Sequence, residues 1–255
     1  MATIAVPRRG ELVSRFYVTM AWISVAIAFG GFFGTYWLQL ARGTFTGSPL
    51  LHFHGLLFFG WTLFFLSQAT LVARRKVRSH RAWGLFGISL ATAMLFTGTM
   101  VAVEGLQARI DAGVGDAARA FLIVPLAAIW MFAGFVAAAI ANVKRPEWHK
   151  RFMLVAMTCL LQAAVARFFF LAVTGGGPGM RPGLAPVQPV AASLGPSIVV
   201  EMLIVAAMVN DWRERGRVHP AYWWGFGITV GVDLLRPVIG YSQAWYGVAN
   251  FLLAF

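Results

Sequence analysis

The chain has 255 residues, of which 59% are hydrophobic and 12% charged, with 21 Lys and Arg against 9 Asp and Glu. That composition excludes a soluble domain, whose surface needs roughly a quarter to a third of its residues charged. The excess of basic residues does not call for nucleic acid, because they sit in short connections beside apolar segments, as topology signals and anionic-lipid contacts do.

A bilayer core of about 30 Å takes about 20 apolar residues of helix to cross. Residues 1–15 form a basic arm, and residues 16–255 divide into seven candidate spans within one transmembrane domain. These are Phe16–Leu40, Leu50–Ala73, Ala82–Val103, Ala120–Val143, Phe152–Val173, Val190–Asn210 and Tyr222–Tyr246. The arm is too short and the first span too long for a cleaved signal peptide, so the first span reads as a signal anchor. The arm carries Arg8, Arg9 and Arg15, and the second connection Arg74, Arg75, Lys76, Arg78 and Arg81. Lys144, Arg145, Lys150 and Arg151 mark the fourth connection, and Arg213, Arg215 and Arg217 the sixth. The opposite connections hold only Arg42, Arg109, Arg119 and Arg181. The expected fold is therefore all-α: a seven-transmembrane-helix bundle of a bacterial inner membrane, N-terminus cytoplasmic and C-terminus outside.

Local chemistry refines the spans. Ser48-Pro49, Arg145-Pro146 and His219-Pro220 each fit an N-cap followed by Pro at the first helical position. The outer connection from Thr174 to Pro189 is rich in Gly and Pro, a linker or a lid. Pro196 and Pro237 predict kinks in the sixth and seventh helices. Cys159, the only cysteine, lies mid-span and reads as a small core residue. Most tryptophans lie near span ends, where aromatic belts place them.

Two sets of polar residues carry possible chemistry. His80, His149 and His219 are spaced 69 and 70 residues apart, each opening a helix on the cytoplasmic side. Three neutral imidazoles from separate helices can hold zinc or iron with a position left for water, and Glu147 or Asp211 is near enough in sequence to assist. Two of them can also hold a haem. The same positions are helix N-termini flanked by Arg81, Lys150, Arg151 and Arg217, which suits an anion or lipid headgroup. The plainest alternative is interfacial capping.

The second set lies towards the outer side. His52 and His54 are two residues apart on one helix, about 200° around its axis, so they cannot both grip one metal. Arg167 and Glu201, on consecutive antiparallel helices, are expected to pair. Asp233 and Arg236 are three apart and can pair within their helix. Tyr36, Gln39 and Glu104 are placed to line a mouth above them. Charges at such depth are costly unless paired or hydrated, and they read either as a structural clamp or as a functional cavity. The seventh span has no lysine for a retinal Schiff base, and the outer side has no histidine pair from two helices for a haem.

The strings HFHGLLFFGW, SHRAWG, FLIVPLAAIWMFAGFV, RPEWHKRFMLVA and GRVHPAYWWG resemble those of a group of uncharacterised bacterial multi-pass membrane proteins. The resemblance runs from about His52 to the C-terminus. It implies that His54, Gln68, His80, Arg81, His149, Lys150, Arg151, Arg167, Asp211 and His219 are family positions, and it implies no activity. In topology the chain is also similar to the adiponectin-receptor-like membrane hydrolases, with their seven helices and three-histidine zinc site, although the spaced histidine motif of their last helix is not present here. The leading expectation is a binder or transporter of a small anionic or lipid-like molecule. Arg167, Glu201, Asp233 and Arg236 would form its polar interior, with His52 or His54 as a titratable gate. The alternative is a zinc- or haem-dependent enzyme built on His80, His149 and His219. Membrane lipids, including anionic headgroups, and a small-molecule ligand are the expected partners.

Overall fold

A computed structural model describes residues 9–175 and 187–254, with side chains described from Arg15 onward. Arg8, Arg181 and residues 176–186 of the Gly/Pro-rich run that offered a linker or a lid lie outside the described residues, as do the side chains of the basic arm before Arg15. Among the described residues every regular element is helical. Six helical stretches are long and apolar enough to cross a membrane: Arg15–Ala41, Pro49–Ala73, Val77–Asp111, Asp116–Ala141, Pro146–Thr174 and Val190–Arg215. The chain is a multi-pass α-helical membrane protein.

The first stretch is α1 (Arg9–Phe32), a π-helical turn (Phe33–Trp37) and a last turn, α2 (Leu38–Ala41). Ser48 caps α3 (Pro49–Ala73) by accepting from the Leu51 N–H, with Pro49 at the first helical position. The long α4 (Val77–Asp111) follows, then α5 (Asp116–Phe121) and α6 (Ile123–Ala141). α5 and α6 part at Leu122 because Pro125 has no N–H to give the Phe121 carbonyl. α7 (Pro146–Thr174), α8 (Leu194–Arg215), α9 (Pro220–Gly240) and α10 (Gln243–Leu253) complete the fold.

The Pro196 expectation and the extent of the last span need correction. Pro196 makes no mid-helix break: it is the third residue of α8, behind a 3₁₀ turn at Val190–Ser193. In the first turn its missing N–H has no intrahelical partner to lose. Pro237 lies inside α9, where it withholds a donor from the Asp233 carbonyl. The helix ends three residues later, so the stretch Tyr222–Tyr246 is not one span. Ser242 caps a separate short helix, α10, by accepting from the Trp245 N–H. α10 packs on α5 and α4 through Ala249, held by Trp245 Nε1 donating to the Arg119 carbonyl at 2.9 Å.

Helix contacts close a ring in the order α1, α3, α4, α6 and α7, with α8 and α9 packed on the far side of α7. α7 thus touches α1, α6, α8 and α9, and its residues Leu154–Cys159 are all buried. Small residues bring the backbones close: a Cβ on Gly31 of α1 would lie 2.3 Å from the Ala164 carbonyl oxygen of α7. Close approach through small residues is how helices associate where both surroundings are apolar. At one end of the bundle the starts of α1, α4, α7 and α9 gather. Tyr17 meets Tyr222 at 3.0 Å, and the rings of His80 and His149 lie 6.2 Å apart. The basic connections therefore share one face.

Candidate functional sites

Three polar centres occupy three levels of the bundle. The deepest joins α7, α8 and α9. Arg236 Nη2 donates to Ser197 Oγ at 2.7 Å and lies 2.5 Å from Asp233 Oδ1, while Arg236 Nη1 donates to Gln162 Oε1 at 3.1 Å. Gln162 Nε2 donates to Asp233 Oδ2 at 2.9 Å. Arg236 is 1% exposed and Asp233 2%, so both charges are withdrawn from lipid and bonded to one another. Glu201 stands beside Asp233, within electrostatic reach of Arg236, and its Oε1 is buried without a hydrogen-bond partner among the described residues. The expected Asp233–Arg236 pair is present. The expected Arg167–Glu201 pair is not, because Glu201 turns to the α9 charges instead. Gln162 and Ser197 were not picked out from the sequence. Gln162 lies eleven residues beyond Arg151 on the same stripe of α7, and that spacing was the available signal.

The second centre lies at the other end of the bundle, between α1, α3 and α7. Arg167 donates through Nη1 to its own helix, at the Ala163 carbonyl, 2.7 Å away. Its guanidinium carbon lies 3.9 Å from the centre of the Phe32 ring. Among the described residues no carboxylate pairs with it. His54 is within electrostatic reach of Arg167 and packs on Phe58 with ring centres 4.0 Å apart. Arg167 Nε, His54 Nδ1, Thr35 Oγ1 and Trp37 Nε1 are all buried without a hydrogen-bond partner among the described residues. Thr35 and Trp37 belong to the π-helical turn, an irregularity frequent at functional sites. His52 faces away to the rim and meets the Tyr36 hydroxyl at 3.1 Å. Gln39 donates to the Gly34 carbonyl at 3.1 Å, and Glu104 accepts from Ser48 at 2.9 Å. Gln39 Oε1 also accepts from Thr44, so Gln39 and Glu104 fasten the loop before α3, and His54 alone of the two histidines joins Arg167.

The third centre is on the basic face. Arg151, 1% exposed, is paired with Asp211 and donates to it through Nε at 2.8 Å. It also donates to Glu147 Oε2 at 2.7 Å. Asp211 accepts from the His219 N–H at 3.1 Å, tying the α8–α9 link down. His219 Nδ1 accepts from the Ala221 N–H at 3.1 Å, as the N-cap of α9. Burial first, then the nearby Arg151 and Arg215, hold the His219 imidazole below its ordinary value. His149 Nδ1 donates to the Ala139 carbonyl at 2.9 Å. His80 and His149 are neighbours, but His219 is spent as a cap. No group of three His, Cys, Asp or Glu side chains among the described residues is arranged to hold a metal ion. The three histidines expected to share zinc or iron are not brought together.

No known protein family, curated protein or solved structure matches this chain. The fold and these sites define a multi-pass helical membrane protein with two polar centres within its bundle and a third on its basic face.

Proposed function

We propose that the protein binds a small anionic, lipid-like molecule at the Arg167–His54 centre, between α1, α3 and α7. The observation that carries this reading is a guanidinium in an apolar layer with no carboxylate paired to it among the described residues. An intramembrane cation without a counter-ion is costly and marks a functional position. Arginine takes carboxylate or phosphate through two parallel N–H bonds, and among the described residues Arg167 makes a single hydrogen bond, through Nη1, beside its contact with the Phe32 ring. Phe53, Phe168 and Phe169, exposed on the same ends of α3 and α7, suit an aliphatic tail lying along the bundle. We take α9 as the seventh crossing: its 21 residues extend about 31 Å at 1.5 Å per residue. Its two charges are buried against α7 and α8, so they do not meet lipid. Seven crossings, with the basic face in the cytoplasm of a bacterial inner membrane, put the N-terminus inside and the Arg167 centre towards the outer leaflet.

The test is thermal stabilisation of detergent-purified protein by decanoate and by decanol. Decanoate raises the unfolding midpoint of the wild type and decanol does not. In Arg167→Ala the decanoate affinity falls by about tenfold or more, the loss of one charge-assisted bond pair. Equal stabilisation of wild type and Arg167→Ala would rule the site out.

A further inference from the structure

The basic face opens into a cleft of about 490 Å³ between the start of α7, the end of α8 and the start of α9. Its walls include Arg145, Glu147, Trp148, Arg215, Arg217 and His219. The single carboxylate is already committed: Glu147 binds Lys150 at 2.7 Å and Arg151 at 2.7 Å, and pairs with Arg215. Arg145 and Arg217 make no ion pair among the described residues. The cleft is therefore strongly positive. Two long helices, α7 and α9, also begin at its wall with their positive dipole ends.

We propose that this cleft binds a phosphate group, carried either by the headgroup of an anionic phospholipid or by free inorganic phosphate. Arginine forks from three separate positions suit an anion with oxygens on several sides better than a flat carboxylate. Basic pockets between helices at this level of a membrane protein suit lipid headgroups. Trp148, whose ring lies 4.9 Å from that of His219, offers an aromatic wall for the glycerol part, and the volume exceeds that of a bare phosphate. The site is separate from the Arg167 centre and stands without it.

The test uses delipidated protein in neutral detergent, with inorganic phosphate, short-chain phosphatidylglycerol and short-chain phosphatidylcholine as ligands. The variants are Arg145→Ala/Arg217→Ala and, as a control that removes equal charge from the same face outside the cleft, Lys76→Ala/Arg78→Ala. Arg145 and Arg217 are exposed, so an unchanged midpoint without ligand verifies that the first variant folds. Phosphatidylglycerol raises the wild-type midpoint and phosphatidylcholine does not. The cleft variant loses about tenfold or more in affinity, as for the loss of charged hydrogen bonds, while the control keeps it. The His219 imidazole, followed by NMR, titrates at higher pH in the bound protein. Stabilisation by inorganic phosphate as well assigns free phosphate, and stabilisation by phosphatidylglycerol alone assigns the lipid. Absence of binding by both, or equal losses in the two variants, overturns the proposal. Arg167→Ala keeps this binding whether or not it loses decanoate.

Discussion

At the scale of single residues, the buried charges divide into those with partners and those without. Asp233 and Arg236 compensate one another, so removing one member leaves the other buried and unpaired. Arg236→Met is expected to destabilise the protein by about 3–5 kcal/mol, whereas Asp233→Leu/Arg236→Met lies much closer to wild type. Denaturant unfolding of both variants in one detergent checks this. If the double variant is as unstable as the single, the pair is not the unit that matters. His219 is a different case, because its Nδ1 must be unprotonated to cap α9. Its folded value lies below the ordinary 6.5, so below that pH the unfolded chain takes up the proton first. The stability His219 contributes is complete above about pH 6.5 and is lost as pH falls towards the folded value. The charged groups facing it are Arg151 and Glu147 of α7 and Asp211 and Arg215 of α8. His219→Asn keeps a capping oxygen without a proton to gain, so its unfolding midpoint changes less than that of the wild type between about pH 8 and about pH 5.

At the scale of elements, α7 is the axis of the molecule, and its contact with α1 is set by Gly31. The Ala164 carbonyl belongs to the backbone and cannot swing aside, so Gly31→Ala forces the two helices apart. A destabilisation of about 1–3 kcal/mol or more follows from such overpacking, and the Arg167–Phe32 contact loosens with it. Gly60, where a new Cβ meets nothing within 4 Å, is the matched control. Gly60→Ala leaves the melting temperature unchanged or slightly higher, because alanine is the better helix former. A Gly31→Ala protein as stable as Gly60→Ala would contradict the close crossing.

For the whole molecule, the topology is open to thiol labelling in intact cells. Cys159 is 2% exposed and is expected to stay unlabelled, so single introduced cysteines can be read against it. With seven crossings, Lys144→Cys is labelled by an impermeant maleimide only after the cells are opened, and Gln243→Cys is labelled from outside. Labelling of both from the same side would mean that α9 does not cross.

Much of this arrangement was legible in the chain. Apolar length gave the helices, because a bilayer permits few other solutions for the backbone. Ser48-Pro49 and His219-Pro220 marked helix starts, since capping depends on neighbours in sequence. The close pair Asp233–Arg236 was legible for the same reason, being one helical turn apart. What lay further apart was decided by tertiary structure. Whether Arg167 meets Glu201 depends on the rotation of α7 and α8 about their axes, and packing turned Glu201 towards α9. Whether His80, His149 and His219 share a metal depends on which helices adjoin, and His219 caps its own helix instead. The sequence by itself determined the membrane-embedded helices and the basic connections, through local length, charge and capping. Which buried charges are paired and which have no counter-ion among the described residues was decided in the tertiary structure, because that follows from how whole helices turn against one another.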